Sequence, residues 1–138
     1  MNFKKWLVGT DSDSNVGLLF LRVFLGAALL THGWGKMFGG LGGFISSVGD
    51  MGLPFPQVLG FLAAFAESGG AILLAIGLLT RPAAFLIAIT MAVAALVVHG
   101  GEGFAAQEMA WLYFAPALFF LFKGGGTWSL DFYLSRRG

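Results

Sequence analysis

Apolar residues fall into four long runs, at residues 16–38, 56–80, 83–99 and 105–122, separated by short breaks marked by glycine or proline. Each run approaches the ~20 residues a helix needs to cross the ~30 Å hydrocarbon core of a bilayer. The pattern predicts four membrane-spanning helices. The first run contains Arg22 and no small-residue cleavage site follows it cleanly, so it reads as an uncleaved anchor rather than a signal peptide. Residues 1–15 before it mix Phe3, Trp6, Leu7 and Val8 with Lys4 and Lys5, as an interfacial segment does.

The breaks have their own patterns. In residues 39–53, Leu41, Phe44, Ile45, Val48 and Met51 recur at helical spacing among glycines. They predict a short amphipathic helix lying on the outer end of the bundle. Pro54 and Pro56 open the second run, Arg81-Pro82 is read as the turn into the third, and Gly100-Gly101-Glu102-Gly103 is a loop. After the glycines at 124–126, Trp128, Leu130, Phe132, Tyr133 and Leu134 stand beside Asp131, Arg136 and Arg137. That tail predicts a second interfacial helix starting near Ser129. The expected architecture is an all-α integral membrane protein in one domain, residues 1–138. It is a bundle of four transmembrane helices with short interfacial helices in the first outer loop and at the C-terminus.

Composition agrees and narrows the function classes. Of 138 residues, 57% are hydrophobic and 11% charged, against ~45–50% and ~25% in soluble domains. That excludes a soluble enzyme and a disordered chain. A net charge of +1 lacks the basic surplus of a nucleic-acid binder. The absence of cysteine excludes a disulfide scaffold, a thiol-redox centre, an iron–sulfur site and covalently attached haem. Basic residues near span ends mark the cytoplasmic side. With both termini inside, Lys4, Lys5, Arg81, Lys123, Arg136 and Arg137 lie on that side and Lys36 alone on the other. A multi-pass protein of the inner (plasma) membrane with both termini cytoplasmic is expected.

Small residues form stripes: Gly26 and Gly33 on the first span, Gly60, Ala63, Ala64, Gly70 and Ala71 on the second, and Ala84, Ala88, Ala92 and Ala95 on the third. Such stripes let helix backbones approach closely. Each stripe also carries ionisable groups, which are expensive in a membrane and usually face a partner or a cavity. By helix counting, His32, Lys36, Glu67, His99 and Glu108 fall in the outer half of the bundle, with Arg22 placed to reach Glu67 from the inner side. Together they suggest a polar pocket walled by Trp34, Phe65 and Trp111. Glu67 and Glu108 are the candidate proton-exchanging carboxylates. Arg22, His32, Lys36, His99 and Trp111 are the candidate ligand-binding residues. Glu102 reads as a plain loop charge, and no motif with metal-ligand spacing is present.

Arg22-x-x-x-Gly26, His32-Gly33-x-x-Lys36, Gly52-x-Pro54, Glu67 with Gly69-Gly70, Gly77-Leu78-Leu79-Thr80-Arg81, His99, Glu108 and Ser129-Leu130-Asp131 stand in an order and spacing that resembles the DoxX family of small four-helix membrane proteins. The resemblance runs from about residue 16 to residue 134. Before the fourth span the chain departs from it, with Ala106 where a glycine is usual. It implies a four-helix bundle and a link to membrane redox chemistry. The expected function is a quinone-linked subunit of a membrane oxidoreductase complex. His32, Lys36 and His99 would donate hydrogen bonds to a quinone head group. Glu67 or Glu108 would exchange protons, and a partner would supply the electrons. The alternative is a non-catalytic structural subunit or assembly factor of a larger membrane complex. No intrinsic cofactor is expected; quinone is the candidate ligand, ahead of a b-type haem held by His32 and His99, whose depths differ by roughly 4 Å by helix counting. The expected partners are the lipid bilayer and either other membrane subunits or further copies of the chain.

Overall fold

The computed structural model describes residues 15–138, which are helical throughout apart from short connections. The interfacial segment expected before the first span lies outside the described residues. Among these, four helices are long and apolar enough to cross a membrane: Val16–Gly39, Pro56–Ile76, Thr80–Val98 and Phe104–Lys123. Leu41–Asp50 forms the short helix expected in the first loop, and Leu130–Ser135 forms the one expected near the C-terminus. Ser129 caps the latter, its hydroxyl accepting from the Phe132 N–H, which satisfies one of the free amides of a helix start. The chain is thus an all-α integral membrane protein.

The turn between the second and third spans is not Arg81-Pro82 but the residues just before it. Gly77 (φ 74°) and Leu79 (φ 50°) take left-handed conformations. Arg81 and Pro82 lie in the first turn of the third helix, where a missing N–H goes unmissed. A left-handed leucine is strained, and Asp131 holds it. Its carboxylate accepts from the Leu79 and Thr80 amides, each at 2.8 Å.

The small-residue stripes are packing seams. A Cβ on Gly26 would strike Ala71 and Ala75, and one on Gly33 would strike the backbone of Glu67. The first and second spans therefore touch backbone to backbone. Ala84, Ala88 and Ala95 are buried with Ile87 and Met91 against the fourth span, which contributes Ala110, Ala117 and Phe120. Phe20, Phe24, Leu112 and Phe122 point outward, as side chains facing lipid do. The helix Leu41–Asp50 lies across the second span, with Ile45 over Gly60.

Arg22 does not reach Glu67. It is 1% exposed, and its guanidinium donates to three backbone carbonyls: Ala75 at 3.2 Å, Trp128 at 2.8 Å, and Gly125. The end of the second helix and the glycine loop after the fourth leave carbonyls without helical partners, and these lie at the depth of Arg22. Glu67 lies two turns away, ~12 Å along the helix from Ala75. Arg22 ties the first span, the second span and the C-terminal segment together at one end of the bundle.

Candidate functional site

At the opposite end, three spans depart from α-helical geometry. Gly35–Gly39, Ala66–Gly70 and Ala94–Val98 are π-helical turns. Each inserts a residue into the helix, re-aims the side chains around it, and is a common feature of functional sites. The first carries Lys36, the second carries Glu67, and the third ends against His99. All three face one region.

At its centre, Lys36 Nζ donates to Glu67 Oε2 at 2.7 Å. Lys36 also lies over the Phe44 ring, 4.9 Å from its centroid, which links the pair to the helix Leu41–Asp50. The Glu67 side chain is 6% exposed and that of Lys36 35%. Burial of the carboxylate makes its partner necessary, because an isolated buried charge is strongly unfavourable.

Two chambers meet at this pair. One, of about 330 Å³, is mostly apolar and lies beneath Phe44 and Val48, with Leu59, Leu62, Ile89 and Val93 in its walls. The other, of about 340 Å³, is more polar, with His32 and Tyr113 in its walls among Met91, Met109 and Ala110. Lys36, Glu67, Ala94 and His99 line both. Each volume falls at the lower end of the ~300–1,000 Å³ of small-molecule sites.

Of the expected site residues, His32, Lys36, Glu67 and His99 thus surround one chamber. His32 meets Tyr113 edge to face, with ring centroids 5.8 Å apart. His99 is bound to Glu102, Nδ1 to Oε2 at 2.8 Å, so Glu102 is more than a plain loop charge. Glu108 is exposed and lines neither chamber. The fourth span turns Ala106, Ala110, Tyr113 and Ala117 inward, and Glu108 lies two residues from the first two, ~200° around a helix. Trp111 also lines neither chamber; it packs against the core and donates to Gln107 at 3.1 Å. Arg22 is at the other end. Trp34, expected as a wall, is 54% exposed and lies against Phe38. Tyr113 and Phe44 were not foreseen. The hydroxyl of Tyr113, the one hydroxyl in its apolar span, was the available signal.

The arrangement offers hydrogen-bond donors from Lys36, His32, His99 and Tyr113 in one chamber, an apolar slot in the next, and a buried carboxylate at their junction. It suits an amphipathic molecule with an oxygen-bearing head and a hydrocarbon tail. Among the described residues, no three His, Asp or Glu side chains are grouped to hold a metal ion.

The chain has relatives of known sequence. No solved structure matches it. An uncharacterized protein of Haemophilus influenzae is 36% identical over 128 residues, covering 83% of this chain and 87% of that one. The DoxX family matches over residues 17–100, a stretch that includes all three π-helical turns and the Lys36–Glu67 pair. The chain belongs to the DoxX family of membrane proteins.

Proposed function

We propose that the protein binds a membrane quinone at the junction of the two chambers and serves as the quinone-linked subunit of a membrane oxidoreductase complex. The observation that supports this reading is the shared wall. A polar chamber and an apolar chamber of similar size meet at Lys36 and Glu67, which matches a quinone's polar ring and isoprenoid tail. Lys36, His32 and Tyr113 are placed to donate to ring oxygens. Leu59, Leu62, Ile89 and Val93 would flank the first part of the tail. Bound quinone supplies two-electron, two-proton redox chemistry. The chain's own contribution is to bind and orient the ring, exclude water from one side of it, and hold a proton at Glu67. Electrons come from a partner subunit.

The test is titration of decylubiquinone into the full chain in lipid nanodiscs, followed by quenching of tryptophan fluorescence. Saturable binding is expected. Lys36→Met/Glu67→Gln removes the cation without leaving a lone buried charge. It should weaken binding about tenfold or more, the loss of one charged hydrogen bond. Absence of saturable binding by the wild type would reject the reading.

A second reading has one observation in its favour: the Lys36–Glu67 pair is already closed, at 2.7 Å, as a purely structural or assembly module requires. In that case no quinone binds, and the same double variant lowers the abundance of a partner complex instead.

A further inference from the structure

The Lys36–Glu67 pair lies in the wall common to both chambers, so a head group that takes a hydrogen bond from Lys36 competes with Glu67 for it. The two partners fare differently when they separate. Lys36 is 35% exposed and stays near Phe44 and water; Glu67 is 6% exposed. Lys36 is the one hydrogen-bond donor to the Glu67 carboxylate among the described residues. The other titratable side chains in the chamber walls are His32 from the first span, His99 from the third and Tyr113 from the fourth. A buried carboxylate that loses its counter-charge is neutralised by a proton rather than left ionised.

We propose that seating of a ligand at Lys36 is coupled to uptake of one proton by Glu67. A head-group oxygen accepts from Lys36 Nζ in place of Glu67 Oε2, and the released carboxylate takes a proton from water. No covalent bond to the ligand forms or breaks. One proton moves, and the pair passes from net zero to +1. Lys36 is left as an uncompensated cation against the head-group oxygen, with a proton stored beside it on Glu67. That arrangement favours a head group that gains electron density and then a proton. Water reaches the chamber walls at His99, which lines both chambers and is bound to Glu102, a side chain 59% exposed. The ligand's identity rests on the quinone reading; the coupling rests on the pair.

Two measurements test it on the full chain in nanodiscs. The first is infrared spectroscopy without ligand. Lys36→Met should show a protonated-carboxyl band at neutral pH that the wild type lacks and that Lys36→Met/Glu67→Gln loses. Lys36→Gln, which keeps a polar side chain, should show the same band. Folded Lys36 variants without that band overturn the coupling whatever the ligand is. The second is the dissociation constant for decylubiquinone as a function of pH. Wild-type binding should tighten by up to about tenfold for each unit fall in pH. Glu67→Gln, which retains both histidines, should lose that dependence. Saturable wild-type binding with no such dependence overturns the coupling and spares the quinone reading. No binding at any pH overturns the quinone reading and leaves the infrared result to decide the coupling.

Discussion

A Cβ added at Gly33 would collide with the backbone of Glu67, whereas one at Gly35, two residues on, would meet nothing within 4 Å. The contrast isolates the contact that holds the first and second spans together at the site. Gly33→Ala should destabilise the bundle by about 1–3 kcal/mol, as overpacking does, and Gly35→Ala should be near neutral. Thermal unfolding followed by circular dichroism separates them; equal stabilities would mean that the spans are not held backbone to backbone here. The Lys36–Glu67 pair should matter less than a fully buried one, whose rupture costs about 3–5 kcal/mol, because Lys36 is a third exposed. At this scale much of the site was legible in the sequence. Lys36, His32, Glu67 and His99 stand out because ionisable groups are rare in apolar runs, and helix counting gives their depth. The partners of Arg22 were not legible, since backbone carbonyls carry no signature in the sequence.

Among the elements, the third helix depends on a residue far along the chain. Asp131 accepts from the amides of Leu79 and Thr80, and its own amide donates to the Gly77 carbonyl. Partial burial of Asp131 works against its charge. The hydrogen bonds from Thr80 and Leu79 and the nearby Arg22 outweigh that burial and hold its carboxyl below the usual carboxylate range. A carboxyl depressed in the folded state stabilises the fold fully above its unfolded value of ~3.9, and loses that contribution as pH falls through the lower folded value. Hydrogen exchange at the Leu79 and Thr80 amides, taken relative to an unprotected amide at the same pH, should therefore stay slow at neutral pH and accelerate only below about pH 3.9. In Asp131→Ala it should be fast at neutral pH, with a loss of about 0.5–2 kcal/mol, typical of a lost helix cap. Slow exchange in that variant would show that the cap does not hold the turn. The four spans and both short helices were readable from hydropathy and spacing. The turn was misplaced because Pro82 looks like a breaker, yet it is tolerated in a first helical turn. Glu108 was turned the wrong way because its span is apolar on nearly every side, and its sequence does not specify which face packs.

For the whole molecule, the two ends of the bundle differ in kind. At one end Arg22 and Asp131 fasten the C-terminal segment to the helices. At the other, three π-helical turns open a pair of chambers around Lys36 and Glu67. Arg81, Lys123, Arg136 and Arg137 lie at the Arg22 end, which the basic-residue rule predicts to face the cytoplasm. A reporter fused after Gly138 should be active only when it reads a cytoplasmic location; activity of a reporter of the opposite side would put the chambers in the other leaflet. The most direct measurement is photolabelling in the membrane with two quinones, one reactive at the ring and one along the tail, followed by peptide mapping. The ring probe should label His32, Lys36 and Tyr113, and the tail probe Leu59, Leu62, Ile89 and Val93. Labels from both probes scattered over the lipid-facing Phe20, Phe24, Leu112 and Phe122, with none in the chambers, would contradict a quinone site at the Lys36–Glu67 pair.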